Sequence, residues 1–552
     1  MKSVRRLSAL SLILVLLPAA ATSVVVAQRD STASAKPRLL TYVFDPTVTA
    51  SNTILHVTLK FQGGAQGTEE IELPSHWAGQ ANHLRAVSAD TTITDGSTSN
   101  IKIVRYPAES SVVIIYDLTR DWDGPLVHPF QFHTVVMPQY IEINGDNALV
   151  HPKLEKLSPV TVSFDWQKLP KDWALATSFA VSSGPEDRLQ SFTGEWRYVD
   201  NALFTAGDFR IHRFQIRQKP AVLAVRGQWT FTDDQAIADI QKVVGVVREF
   251  WHDDNFPSFL ITLKPYDQEH GSSDGTAYTN AFWMYMSSKD PFSTQLTQLS
   301  HEAFHAWNTK RMGVSPPGGG DIEWFHEGFT EYYAQLLVYR AGLMELPAYL
   351  ENVNRDLRSY PDSTSPYIRG RILALWLDAQ IRKDTNHKSS LDNVMFDMVR
   401  EADKPLTLSR ILETAGHYLS AEARRQLDQV VNQRSNVPTP NDAALGACSQ
   451  FRVSVDEVPI FDLCFDYAAS KAARRVTSVR EDGPAFKAGL RNGQQINGVS
   501  VYNNQPDKIA KISIVTDSGP QAIEYYPRKT VKVPQYHLDQ AAYASNPAGC
   551  RK

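Results

Sequence analysis

The segment His301-Glu302-Ala303-Phe304-His305 constrains the fold of this chain more than any other. Its three polar side chains can act together only on a helix, where residues four apart lie one above the other and both imidazoles leave the same face. Two rings so placed can grip one metal ion. Glu302, next to His301, can then reach a water on that ion as a general base. The fold must therefore place this helix against a cleft and bring a further ligand to it from elsewhere.

A hydrolytic zinc site takes three protein ligands and leaves the fourth position to water. Glu327, twenty-two residues beyond His305 in Trp324-Phe325-His326-Glu327-Gly328-Phe329-Thr330-Glu331-Tyr332-Tyr333, is the natural third ligand. It opens a second helical stretch, 327–341, that Gly342 should end. Tyr332, Tyr333, Leu336, Leu337 and Tyr339 are expected to pack that stretch on the core. Two roles are open to Glu331, one turn on from Glu327: accepting the second N–H of a ligand histidine, which would fix its tautomer, or standing solvated on the helix face. No cysteine lies near the motif, which leaves no Cys-rich structural zinc site.

Hydrolysis at such a site also needs a donor aimed at the oxyanion of the tetrahedral intermediate. Tyr367 stands at the start of a strongly apolar helical stretch that runs through Leu377 and Ile381. Its phenol suits that task, although a tyrosine there can equally serve packing alone.

Taken together, these segments resemble the gluzincin metallopeptidases, most closely the glycyl aminopeptidase family that carries a C-terminal PDZ domain. The matching residues are His301-Glu302-x-x-His305-x-Trp307-Asn308, then Trp324-x-x-Glu327-Gly328-Phe329-Thr330-x-Tyr332-Tyr333. Pro366-Tyr367-x-Arg369-Gly370 and Leu377-Asp378-x-x-Ile381-Arg382 complete them. The resemblance implies Zn²⁺ on His301, His305 and Glu327, Glu302 as base, Tyr367 at the oxyanion, and a peptide or protein substrate. One departure stands out. In that family a Gly-Gly-Leu-Glu-His-like segment precedes the zinc helix, and related aminopeptidases use its glutamate to hold the substrate's amine. Here the region 269–280 offers no equivalent glutamate. Asp274 or Glu269 could substitute, or the strand could only pair with substrate backbone by edge addition.

The chain opens with Lys2, Arg5 and Arg6, an apolar run from Leu7 to Leu17 and small residues up to Ala27, the pattern of a secretory signal peptide. Cleavage after Ala27 satisfies the small-x-small rule; cleavage after Ala21 and an uncleaved anchor are the alternatives. An exported protein, periplasmic or secreted, is expected, with no stable membrane span after cleavage. Losing the leader would take the net charge from −4 to −7, which argues against nucleic acid as a partner. Of the three cysteines, Cys448 and Cys464 are spaced for a local disulfide that would leave Cys550 over. The alternative is that none pairs. Oligomeric state is not written in the sequence.

The expected architecture is multidomain α+β. A signal peptide, 1–27, precedes an N-terminal all-β sandwich-like domain, 36–220, whose β-branched and alternating runs include Thr53 to Phe61 and Ser111 to Tyr116. Its histidines, among them His56, His83, His128 and His133, show no metal spacing, and Leu73 to Gly79 resembles a Pro-x-Trp turn of the same family. A thermolysin-like, mainly α zinc peptidase domain, 226–435, follows. Within it, helical spacing runs from Asp233 to Trp251, and a strand at Phe259 to Leu263 precedes the zinc helix. The Pro/Gly-rich stretch 315–320 reads as a loop. After a linker around 432–441, the residues Gly483-Pro484-Ala485-Phe486-Lys487-Ala488-Gly489-Leu490 resemble a PDZ pattern within a domain 442–530. A polar tail, 531–552, carries no pattern and is expected to be mobile.

Two functions compete on this reading. One is a zinc-dependent metallopeptidase, an aminopeptidase by resemblance. The other is an exported PDZ-containing binding or scaffold protein with a structural or vestigial zinc site.

Overall fold

The computed structural model describes residues 36–551 apart from 75–80, 180, 183–187, 257, 267–272, 309, 439, 441–444, 446–447 and 504; of 181, 182 and 362 the backbone alone is described. The leader, the Pro-x-Trp turn beyond Pro74 and Glu269 lie outside these residues.

The N-terminal half is built of strands whose alternation is plain in the burial. In Thr53–Gln62, Leu55, Val57, Leu59 and Phe61 point inward while Thr58 and Lys60 face out. This strand is antiparallel to Arg38–Val48, which in turn runs parallel to Pro159–Asp165. They belong to a six-stranded sheet completed by Leu189–Glu195, Ser111–Leu118 and Asn82–Ala86. A five-stranded sheet around Tyr140–Asn144 and Leu203–Gly207 faces it. Aromatics fill the space between, with Phe44 stacked on Trp166 at 3.7 Å and Phe164 tilted against Phe204 at 5.0 Å.

A second five-stranded sheet underlies the half that carries the helix of His301 and Glu302. Its order is Arg210–Ile216, Lys219–Val225, Phe259–Tyr266, Ala281–Ser287 and, at the edge, Ser273–Tyr278. The hairpin of its first two strands thus belongs to this sheet, and the boundary expected between 220 and 226 falls within its second strand, Lys219–Val225. Helices cover one face. Asp233–Trp251 forms where the spacing predicts it: Thr232 Oγ1 accepts from Gln235 N at 3.2 Å while Gln235 Oε1 accepts from Thr232 N at 2.8 Å. Ile240, Val243, Val244 and Val247 form its buried stripe. The opposite face of the sheet meets the N-terminal half through a shared core, in which Tyr140 and Leu203 pack with Leu260, Trp283 and Tyr285.

The loop 315–320 is tied down, since Leu406 N donates to Val314 O and Leu408 N to Gly319 O, at 3.0 and 2.9 Å. Beyond the helices, Phe451–Phe461 and Arg528–Leu538 pair as a long antiparallel ribbon. Between these strands lies a small unit with its own core around Val476, Leu490, Ile512 and Ile523, built on the three-stranded sheet Gln495–Ser500, Ala510–Thr516, Gly519–Tyr525.

Two expectations fail here. The tail is not patternless. Tyr536 exchanges hydrogen bonds with Asn354, and Glu345 accepts from Tyr543 and Arg551. The disulfide joins Cys448 to Cys550, and Cys464 is a free, buried thiol. The ribbon explains this. Its pairing returns the tail to the Phe451 end, beside Cys448, whereas Cys464 lies past the Phe461 end, roughly 30 Å of extended strand away. Among the described residues no helix is long and apolar enough to cross a membrane.

Candidate active site

His301 and Glu302 lie in the helix Leu296–Phe304 and His305 directly follows it. All three side chains are buried. Glu327 does not open the next helix but sits inside a wide turn, Trp324–Phe329, with the i→i+5 bonding of a π-helix, which continues as the α-helix Thr330–Arg340. Such turns recur at functional sites because the extra residue re-aims a side chain. Gly342, at φ +70°, follows the helix end.

The turn brings the three expected ligands together. His301 Nε2 lies 3.1 Å from His305 Nε2 and 3.3 Å from Glu327 Oε2, and His305 Nε2 lies 3.4 Å from the same oxygen. Ligand atoms held tetrahedrally about 2.0–2.1 Å from zinc would be about 3.3 Å apart. The triangle therefore fits one such ion, and it is the one His/Cys/Asp/Glu group of metal-binding geometry among the described residues.

The ring nitrogens that face away from this triangle are also engaged. His301 Nδ1 donates to Glu331 Oε2 at 3.2 Å, and His305 Nδ1 faces the Asn308 carbonyl at 3.4 Å. Of the two positions open to Glu331, the structure thus takes the one hydrogen-bonded to His301 rather than the solvated helix face. Glu331 Oε1 accepts from Gln335 at 2.7 Å, Gln335 Oε1 accepts from Arg371 at 2.5 Å, and Arg371 is paired with Asp356. Burial alone would depress the His301 pKa, but hydrogen bonds to Glu327 and Glu331 lift it to about 10. Burial would raise Glu327, yet the two histidines hold it well below the usual carboxylate range.

Glu302 Oε1 accepts from Gln298 Nε2 at 2.6 Å. Burial pushes its pKa up, partly offset by His301 and His305. The edge strand Ser273–Tyr278 crosses directly over it: a Cβ on Gly275 would lie 2.5 Å from Glu302 Oε1. Only glycine lets the backbone approach the carboxylate so closely.

Tyr367 lies in the first turn of the helix Pro366–Asp384 and is 44 % exposed. Its ring stands 6.1 Å from that of His301, and its hydroxyl faces the Glu327 carboxylate. Burial and the Glu327 carboxylate raise the phenol's pKa.

Asp274 is turned from Glu302, on the other side of its strand, where Gln131 donates to it at 3.0 Å, Tyr266 also donates to it, and His128 Nδ1 lies 3.4 Å away. The described part of the edge strand carries no glutamate.

Gly275, Gln335 and Arg371 were not singled out from the sequence, because no spacing announces a contact made by strand or helix packing. Asn308 stood within the matched motif without a role. Its amide donates to Phe325 O, His326 O and Thr330 Oγ1 at 3.1, 3.2 and 2.9 Å, pinning the wide turn.

Residues 294–372 match the M61 glycyl aminopeptidase family, and on that match the protein is a peptidase, a hydrolase. No curated protein matches the chain. Among solved structures, an aminopeptidase N family protein from Idiomarina loihiensis is 16 % identical, with 93 % of this chain and 100 % of that chain covered at a TM-score of 0.66. An M1 zinc metallopeptidase from Deinococcus radiodurans is 15 % identical over 74 % of this chain and 95 % of its own, at 0.48. An aminopeptidase A from Legionella pneumophila, in complex with aspartic acid, is 9 % identical over 91 % and 56 %, also at 0.48. The first of these likenesses gives the fold alone, a multidomain α+β architecture.

Proposed function

We propose that the protein is a zinc-dependent metallopeptidase that removes residues from the N-terminus of peptides. The observation that carries this reading is the triangle of His301, His305 and Glu327 with Glu302 and Tyr367 at its rim. The aminopeptidase label rests on the description of the family that residues 294–372 match.

Zinc held by that triangle would acidify water and polarise the scissile carbonyl. Glu302 takes the proton of the attacking water and passes it to the leaving amine, a task its raised pKa suits. Tyr367 donates to the oxyanion. Glu331 keeps the His301 ring in the tautomer whose Nε2 is free to ligate. The edge strand Ser273–Tyr278 offers its backbone to an extended substrate. Because Asp274 already serves Gln131 and Tyr266, the substrate's amine is held by other groups or by main-chain carbonyls.

In this reading the N-terminal β region, the zinc peptidase region and a PDZ-like unit are successive domains behind a cleaved leader, and the protein works outside the cytoplasm. The Cys448–Cys550 disulfide accords with an oxidising compartment. The small core around Leu490 and Ile512, held apart on its ribbon, supports a separate C-terminal domain.

The test is Glu302→Gln in the zinc-loaded enzyme. Peptide hydrolysis should fall by about 10²–10⁴-fold or more with zinc content unchanged; full activity would sink the mechanism. N-terminal sequencing of products from a mixed peptide library tests the exopeptidase part. Internal cuts would make the enzyme an endopeptidase instead.

A further inference from the structure

The turn that carries Glu327 and the helix that carries Tyr367 cross at two glycines. A Cβ on Gly328 would lie 2.3 Å from Gly370 Cα, and one on Gly370 would lie 2.0 Å from Trp324 O and 2.8 Å from Gly328 Cα. The two backbones touch with no side chain between them. Gly328 follows Glu327 directly, and Gly370 is one turn after Tyr367, on the same face of its helix. From the other side Asn308 holds the carbonyls of Phe325 and His326. The π turn is therefore clamped between the Asn308 amide and the Gly370 backbone.

We infer that Gly328, Gly370 and Asn308 are positioning residues whose joint task is to set the distance from the Tyr367 hydroxyl to the Glu327 carboxylate, and so to the reacting carbonyl. This inference rests on the proposed roles of Glu327 and Tyr367. A methyl group on Gly370 cannot fit without parting the two backbones by on the order of 1 Å, because ordinary carbon contacts need roughly 3.5 Å. A misplacement of that size at an active site costs on the order of 10²-fold in rate. Glycine is thus required here for close approach, and neither position has a left-handed backbone that would explain it otherwise.

The experiment compares parent, Tyr367→Phe, Gly370→Ala and the double variant, each loaded with zinc. Gly370→Ala should lower kcat by about 10²-fold with KM and zinc content little changed. The double variant should be no slower than the slower single variant, because the methyl group acts through the hydroxyl already removed. A readout independent of turnover comes from a fluorotyrosine placed at position 367 in the metal-free protein. Its fluorine resonance should move between parent and Gly370→Ala. Full kcat in Gly370→Ala, multiplying losses in the double variant, or an unmoved resonance would each overturn the inference while leaving the catalytic reading intact. Full turnover in Tyr367→Phe would instead remove the oxyanion role, and the inference with it. If Gly370→Ala does not fold, Asn308→Asp, which replaces the donors to the turn with an acceptor, is held to the same expectations.

Discussion

At the scale of single residues, His301 carries the sharpest consequences. Glu327 and Glu331 sit on its two ring nitrogens at 3.3 and 3.2 Å, which lifts its pKa from 6.5 to about 10 despite burial. A metal takes only the neutral ring, so zinc uptake near neutral pH should expel a proton. Titration calorimetry in two buffers of different ionisation heat checks this; equal heats would contradict it. The sign for stability follows from the raised pKa. In the metal-free protein this group's contribution is complete below about pH 6.5 and is lost as pH rises toward 10. Melting temperatures of the metal-free protein should therefore decline over that window through His301, and bound zinc should remove that part of the slope. Glu331→Gln should weaken zinc about 10–100-fold in a chelator competition, with the fold retained. An unchanged affinity would return Glu331 to the surface role that its position on the helix also allowed. That His301, His305 and Glu327 would lie together was legible because helical spacing places the two imidazoles on one face and the chemistry asks for one more carboxylate. The choice between roles for Glu331 was not, since it depends on how two helices cross.

Elements were legible where local chemistry agrees with period. The helix Asp233–Trp251 has its expected limits because Thr232 and Gln235 cap its start and His252, at φ +50°, ends it. Gly245 sits inside it with nothing within 4 Å of where a Cβ would stand. Gly245→Ala should thus stabilise the protein by about 0.5–1 kcal/mol, by reducing the freedom of the unfolded chain and adding helix propensity. Urea titration would show a raised midpoint; a lowered one would mean that the site is more crowded than this geometry. The π turn at Trp324–Phe329 was not legible, since its sequence reads as an ordinary helix start. It arises from contacts distant in sequence, with Asn308 on one side and Gly370 on the other. The edge strand illustrates the same limit. Its extended character could be read, but not that Gly275 would meet Glu302 while Asp274 turned toward Gln131.

Across the whole molecule, what escaped the sequence was pairing between distant segments. The cysteines were read by spacing, yet a ribbon that returns residue 550 to residue 448 selects the partner 102 positions away. The union of the N-terminal half with the catalytic sheet is likewise long-range, and one buried ion pair stands at its centre. Glu142, on the N-terminal strand Tyr140–Asn144, accepts from Lys264 on Phe259–Tyr266 and from Tyr285 at 3.1 Å, with Thr262 at 3.3 Å. The Lys264 ammonium lies 4.4 Å from the Tyr285 ring centroid, and burial lowers its pKa to about 8 despite the carboxylate. Both charges are shut away from water, so removing one strands the other. Glu142→Ala should cost about 3–5 kcal/mol. Glu142→Leu combined with Lys264→Met should cost less than that single change although it removes both partners, because apolar groups of similar volume need no counter-charge. Denaturant unfolding of the three proteins decides the point. If the single variant loses under about 1 kcal/mol, the pair does not bind the halves, and the apolar contacts of Tyr140, Leu203 and Trp283 hold them without it. If the double variant is the less stable, the hydrogen bonds from Thr262 and Tyr285 to Glu142 outweigh the cost of burying the charges.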